Sequence, residues 1–318
     1  MSFQSNSSSA VSPSARLRRL LARPGLLMMP GVFDGFSARL VEKFGFEAAF
    51  ITGGGISESR WGWPDLGLMG LAENLDACRA LAASTTLPLL ADADTGYGNA
   101  VNVHFAVRAL EQAGVAGAMF EDQVWPKRCG HMAGKEVIPA DEMAQKIRSA
   151  ADARSDPDFV IKARTDAAGT DGIAAAVERA NLYREAGADL LFADALLSET
   201  DIALFCREVQ GPVVVNMGFG IRARPTTPLV APQRLEELGV KAAIYPRLLT
   251  SAALMGMRRG LTALLETAES GTVSDRPDLC FSFEELNDLM GLNEMRALEQ
   301  RYLTPKELAR KYGGTESG

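Results

Sequence analysis

From residue 26 onward the chain repeats one unit: a short apolar run, a polar or glycine-rich break, then a longer stretch with apolar residues at helical spacing. The apolar runs at 26–30, 48–52, 88–91, 117–120, 159–163, 190–193, 212–215 and 242–245 are short and read as strands buried on both faces. Between them, 36–44, 71–83, 101–113, 140–154, 172–186, 198–208 and 232–238 carry the helical period. Gly45, Gly114, Gly187 and Gly239 stand where four of these helices should end, the place of a left-handed C-cap. Strands alternating with helices imply a parallel sheet. Eight such units with no dividing linker predict an α/β fold, a (β/α)₈ TIM barrel over residues 16–270.

The ends of the chain differ from this repeat. Residues 1–15 are serine-rich and read as a disordered tail. Leu17, Leu20 and Leu21 have helical spacing and lead into the first strand. The basic run Arg16, Arg18, Arg19 and Arg23 therefore reads as part of the fold rather than as a transit peptide. Beyond the barrel come a helical stretch at 261–268, a break at 270–277 and a helix at 283–302, opened by a capping box from Ser282 to Glu285. Residues 271–318 are thus expected to form a C-terminal helical extension. Leu286, Leu289, Met290 and Leu298 give it an apolar stripe that needs a cover.

A barrel of this kind carries its chemistry at the C-terminal ends of the strands. The polar residues there are Asp34, Thr52, Asp92, Asp94, Glu121, Asp122, Arg164, Asp194, Asn216 and Tyr245. Acids, one arginine and one asparagine around one mouth suit a metal-assisted site for a small anionic substrate. Asp92 and Asp94 are two apart on an extended chain and so face one side. With Glu121 they form an all-oxygen cluster for a hard cation, Mg²⁺ or Mn²⁺. The loop 121–131, EDQVWPKRCGH, adds a thiol among cations: Lys127, Arg128 and His131 favour the thiolate of Cys129. Gly130 and Gly134 would let this loop move as a lid. Thr52 and the glycines after it could form a backbone nest for a carboxylate, and the planar fork of Arg164 suits a carboxylate clamp. His104, within a helical stretch, reads as structural.

Composition narrows the partners. A net charge of −7 with no basic stripe argues against nucleic acid, and no apolar run approaches the ~20 residues of a membrane span. Cys78, Cys129, Cys206 and Cys280 lack metal or disulfide spacing, as suits a reducing cytoplasm.

DADTGYGN at 92–99, then Glu121–Asp122, then KRCGHM at 127–132 resemble the isocitrate lyase/phosphoenolpyruvate mutase superfamily. KRCGH is similar to its carbon–carbon lyase branch, which holds 2-methylisocitrate lyases, dimethylmalate lyases and oxaloacetate hydrolases. The likeness runs from about Leu17 to Tyr302. It implies a Mg²⁺-dependent lyase that cleaves a 2-hydroxy di- or tricarboxylate, an alkylmalate or a 2-methylisocitrate-like acid, to an α-keto acid and a carboxylic acid. Asp65 would join the metal set through water. Thr52, Gly53 and Gly54 would hold the carboxylate of the keto-acid half, with Lys127, Arg128, Gly130, Asp194 and Asn216 around the substrate. Cys129 would be the general acid, aided by His131 and Arg164. A homotetramer is implied, with the terminal helix packed on a neighbouring subunit. Oxaloacetate hydrolases tend to carry Ser where this chain has Pro246, and phosphonopyruvate mutases and hydrolases lack KRCGH. A non-catalytic metabolite-binding barrel is the remaining alternative. The clearest departure follows the seventh strand, where Phe219 replaces an expected Glu and the loop to Pro228 is longer. Phe219 near Arg164 would give an apolar wall for an alkylated malate. An inward Arg222 or Arg224 would instead receive a third carboxylate.

Overall fold

The computed structural model describes residues 11–130, 132, 134–222 and 227–313. Eight strands follow one another around a closed barrel: β1 (Leu27–Val32), β2 (Ala49–Ile51), β3 (Leu89–Asp92), β4 (Gly117–Glu121), β5 (Val160–Thr165), β6 (Leu190–Ala193), β7 (Val213–Asn216) and β8 (Val240–Tyr245). Every neighbouring pair is parallel, and β8 closes on β1 from Leu27↔Ala242 to Pro30↔Tyr245. The expected (β/α)₈ barrel is therefore the observed fold. Its interior is filled by Met29, Phe50, Leu90, Met119, Phe192, Val214 and Ile244. On the outer face Ile51, Phe120, Ile161 and Leu191 share one core with helix residues such as Val107, Ile147 and Tyr183. Burial on both faces is why the strands read as unbroken apolar runs.

The expected tail boundary at residue 15 is corrected. A helix, Pro13–Ala22, begins at Ser12, whose hydroxyl accepts a hydrogen bond from the backbone N–H of Ala15 (3.1 Å). Proline suits the first helical position because its missing N–H has no partner there anyway. Leu17 is fully buried with the barrel interior, and Arg18 donates to the carbonyls of Pro157, Asp158 and Phe159 and to Asp189 (3.0 Å). The basic run is thus built into the fold. Residues 1–10, the rest of the expected tail, lie outside the described residues.

The C-terminal part also differs from expectation. The helix after β8 is Leu248–Ser270, much longer than 261–268. One compact unit ends at Met255 and a second begins at Gly256, so the barrel unit stops short of residue 270. The helix carries Leu254, Met257, Leu261, Leu264 and Leu265 as exposed side chains. The single helix expected at 283–302 is broken at Gly291, which adopts φ +77, into Phe283–Leu289 and Leu292–Tyr302. The capping box from Ser282 to Glu285 forms as read. A further helix, Pro305–Tyr312, is capped by Thr304. Of the expected stripe, Leu289 is buried and Leu286 exposed.

Candidate active site

At the C-terminal ends of the strands the chain encloses a pocket. Its walls are Thr52, Gly54, Asp65, Asp92, Lys127, Cys129, Gly130, Arg164, Asn216, Pro246 and Arg247, and its floor is Phe50, Met119, Phe192 and Ile244. Thr52 follows β2 and caps a helical turn, Gly53–Ile56, by accepting from the N–H of Gly55 (3.1 Å). A π-helical segment, Ser57–Trp61, continues it. The glycines are therefore the start of a helix rather than a loose turn. Their missing side chains make room for the acids: a Cβ on Gly53 would stand 3.1 Å from Asp92 Oδ2, and one on Gly54 2.7 Å from Asp65 Oδ2.

Asp92 ends β3, but Asp94 lies beyond the strand with φ +47, a left-handed conformation unusual for a residue with a side chain. Strand alternation is thus not what brings the two together. Instead the backbone N–H of Asp94 donates to Asp92 Oδ1 (3.1 Å), and the N–H of Glu121 donates to the Asp94 carbonyl (2.9 Å). Lys127 stands between carboxylates, 2.5 Å from Asp65 and 2.9 Å from Asp94. Its expected role beside the thiol is replaced by this one. Asp94 Oδ1 and Glu121 Oε1 are buried yet accept no hydrogen bond of good geometry. Burial, with the charges of Asp92 and Asp65 overcoming the pull of Lys127, pushes the Asp94 carboxyl up to about 6. Burial also raises Glu121 well above the usual carboxylate range, against the attraction of Arg164.

Arg164 is already engaged. Its Nε and Nη2 each donate to Asp166 at 2.8 Å, and Nη1 is 3.2 Å from Glu121. Asp166 also accepts from Lys135 (2.7 Å), which donates to the Gly130 carbonyl as well (3.0 Å) and lies 3.5 Å from Asp194. Although burial acts the other way, Arg164 and Lys135 bring the Asp166 carboxyl down to about 2. Behind it, buried Asp122 accepts from Thr165, Tyr183 and the N–H of Asp166, and so holds the network rather than facing substrate. A Cβ on Gly130 would fall 1.9 Å from Asp194 Oδ2, so only glycine lets the loop pass this close.

The same loop sets Cys129. Its backbone N–H donates to the Asp65 carbonyl (3.2 Å), and its Sγ accepts from Arg247 Nη2 (3.5 Å). Gln123 clamps the Arg128 backbone at both its N–H and its carbonyl (2.9 Å each), and the Arg128 side chain is exposed. Arg128 therefore does not line the pocket. His131 lies outside the described residues, as does Arg224. Asn216 lines the pocket with its Oδ1 buried and unpaired. Phe219 is not near Arg164: half-exposed, it lines a separate apolar cleft of about 400 Å³ with Met28, Phe46, Met217 and Tyr245. Arg222 is exposed, and Asp34 caps the helix Gly35–Lys43. Sequence reasoning missed Lys135 and Arg247. Arg247 follows Tyr245–Pro246 at a strand end, a position that alone would have flagged it.

Beneath the floor lies Lys162, fully buried, with its Nζ unpaired. The amine is 5.0 Å from the ring centre of Phe50 on β2 and 4.4 Å from that of Phe192 on β6, strands on opposite sides of the barrel. Burial lowers its pKa from 10.5 to about 7, although Asp92 pulls the other way. The unfolded chain thus binds this proton more tightly. The resulting penalty is complete below pH 7 and fades as pH rises towards 10.5. Lys162→Met, which keeps the apolar stem, should therefore stabilise the protein by several kcal/mol at neutral pH and flatten stability between those limits. Chemical denaturation against pH checks this, and a less stable variant would contradict it.

Residues 17–265 match the family described as phosphoenolpyruvate phosphomutase. The 2,3-dimethylmalate lyase of Eubacterium barkeri is 41% identical over 291 residues, 92% of this chain and 98% of that protein. A probable 2-methylisocitrate lyase of Corynebacterium glutamicum is 42% identical over 301 residues, covering 93% and 95% of the two chains. A crystal structure of 2,3-dimethylmalate lyase superposes with a TM-score of 0.85 at 31% identity, over 97% of this chain and 100% of that one. A phosphonopyruvate hydrolase in complex with oxalate and Mg²⁺ superposes with a TM-score of 0.80 at 30% identity, over 92% and 100%.

Proposed function

The chain belongs to the phosphoenolpyruvate mutase/isocitrate lyase superfamily, and on that premise we propose a Mg²⁺-dependent lyase that cleaves a carbon–carbon bond of a 2-hydroxy di- or tricarboxylate. The observation that carries the reading is the thiol of Cys129 in the pocket wall beside Asp65 and Asp92.

The acids fit a divalent cation. Six carboxylates, those of Asp65, Asp92, Asp94, Glu121, Asp166 and Asp194, face four cations, Lys127, Lys135, Arg164 and Arg247. The carboxylates outnumber the cations, and Glu121 Oε1 is buried with no hydrogen bond. Among the described residues no three acid, thiol or imidazole groups form a ready cage. Mg²⁺ does not need one, because it keeps several waters and binds through one or two carboxylates plus the substrate. Asp92 and Asp94 would hold it, with Asp65 and Glu121 in support, and Mn²⁺ could serve in its place. When bound, it would supply Lewis-acid stabilisation of the substrate's hydroxyl and carboxylate oxygens.

The chain's own residues do the rest. Thr52, Gly53 and Gly54 receive the carboxylate of the keto-acid half. Loss of the 2-hydroxyl proton forms the keto group as the adjacent carbon–carbon bond breaks. The electron pair passes to the other half as the enediolate of a carboxylic acid. Arg164, Asn216 and His131 balance that charge, and the Cys129 thiol gives its proton to the carbon. The floor of Phe50, Met119 and Phe192 excludes water from the carbanion. Pro246 in the pocket wall favours this over oxaloacetate hydrolysis, whose enzymes tend to carry Ser there. We read the enzyme as a cytoplasmic homotetramer, in which Leu254, Met257, Leu261, Leu264 and Leu265 are covered by a neighbouring subunit. Among the described residues no helix is long and apolar enough to cross a membrane.

The test is incubation with 2,3-dimethylmalate, 2-methylisocitrate, isocitrate and oxaloacetate in Mg²⁺. Release of an α-keto acid from one of the hydroxy acids is expected. Turnover of oxaloacetate alone, to acetate and oxalate, would replace the lyase by the hydrolase.

A further inference from the structure

Strand β5 turns alternate residues into the barrel. Val160, Lys162 and Arg164 face inward, while Ile161 and Ala163 pack outward among the helices. Arg164 reaches the pocket, and Lys162 ends one layer deeper, in the hydrophobic cluster that includes Leu90, Val214 and Ile244. A methionine would fill that space without stranding a charge, so packing does not account for the amine.

The cations that line the pocket are each paired. Lys127 stands between Asp65 and Asp94, Arg164 between Asp166 and Glu121, and Arg247 between Glu58 and Asp65. Lys162 differs from all three, because its buried Nζ donates no hydrogen bond. Its contacts are two rings, Phe50 at 5.0 Å and Phe192 at 4.4 Å, and these same rings form the pocket floor. The Arg164 guanidinium lies 5.5 Å from the centre of the Phe192 ring, which thus joins the buried amine to a cation of the pocket wall. Ring faces carry partial negative charge and favour an ammonium between them. The charged groups about the amine are Asp92 at the end of β3, Asp194 after β6 and Arg164 on β5 itself. Burial and Arg164 weaken its hold on the proton, and the two acids strengthen it.

An anion on the floor stands one ring away from this amine, in an interior of low dielectric where a charge at such range acts strongly. Resting on the reading of the pocket as a carboxylate site, we propose that Lys162 is a positioning residue, the buried counter-charge of the bound substrate. It acts through the rings of Phe50 and Phe192 and takes up a proton when an anion enters. The wall cations are already balanced by carboxylates, whereas Lys162 has no acid bonded to it, so the charge of a ligand bears directly on its protonation. A bound anion favours the ammonium. Below about pH 7 the charge is present beforehand, and affinity does not vary with pH through this group. Above that pH the proton must come from solvent, and affinity falls as pH rises.

The test is calorimetric titration of the Mg²⁺-saturated enzyme with oxalate, a small dicarboxylate, in buffers of different ionisation enthalpy on both sides of pH 7. Wild type should take up a large fraction of a proton per oxalate above pH 7, with affinity falling by up to about tenfold per pH unit. Lys162→Met should bind oxalate about tenfold more weakly at neutral pH and lose most of the proton uptake and of the pH dependence, while being more stable than wild type. Higher stability with lower affinity is a combination that a purely structural lysine would not give. Oxalate binding without proton uptake in wild type, or with equal affinity and uptake in both proteins, would overturn the counter-charge and leave the lyase standing. Failure of oxalate to bind wild type would remove the anion site and the counter-charge with it. Proton-linked binding that Lys162→Met abolishes, with no cleavage of any hydroxy acid by wild type, would uphold the counter-charge and remove the lyase.

Discussion

Cys129→Ser should fold as the wild type does and lose about 10²–10⁴-fold in kcat, the usual contribution of a general acid. The reason is chemical rather than steric. Serine preserves the size of the side chain and can still accept from Arg247, but its hydroxyl gives up a proton far less readily at neutral pH. The loop should stay in place because other groups anchor it. Gln123 clamps the Arg128 backbone, Lys127 bridges Asp65 and Asp94, and Lys135 ties the Gly130 carbonyl to Asp166. Steady-state kinetics with circular dichroism as the folding check reads this directly. A variant within a few-fold of wild type would reduce Cys129 to a packing residue of the loop.

Removal of divalent cations should be at least as costly. Chelation followed by desalting is expected to lower turnover by about 10³-fold or more, since a metal contributes several kcal/mol of charge stabilisation, and Mg²⁺ or Mn²⁺ should restore it. The charge balance also gives a readout that needs no turnover. The surplus of carboxylates, the buried oxygen of Glu121 that accepts no hydrogen bond and the raised Asp94 carboxyl destabilise the metal-free fold. Mg²⁺ should therefore raise the melting temperature in proportion to its saturation, and Asp92→Asn should remove that rise. Full activity in metal-free protein would sink the metal assignment.

The barrel was legible because its signal is local and repeated. The run at 190–193 is β6 to the residue, and the other strands shift by a residue or two at their ends. Burial on both faces makes each strand an apolar run that needs no knowledge of its neighbours. The acids at the strand ends were legible for the same reason: position along a strand predicts position in a barrel. What depends on contacts across the fold was not. Lys127 reads in sequence as a cation beside a thiol, yet its amine goes to carboxylates on other loops. Arg164 reads as a free fork, yet Asp166, two residues on, occupies it. Phe219 is aromatic and follows a strand end, but the loop that carries it turns outward into an apolar cleft. The helical turn at Gly53–Ile56 defies its composition, since glycine disfavours helix. It is fixed by the Thr52 cap and by burial of all four residues. At the C-terminus, Gly291 breaks an apolar period that continues through it.

Cleavage in D₂O followed by NMR tests the central claim most directly. With Mg²⁺ and the 2-hydroxy acid that the enzyme turns over fastest, one α-keto acid should be released per carboxylic acid. The carboxylic acid should carry a single deuterium on the enediolate carbon, which takes it from the solvent-exchanged thiol, and Cys129→Ser should slow its formation. Formation of oxalate and acetate from oxaloacetate, with no keto acid from any hydroxy acid, would contradict the account.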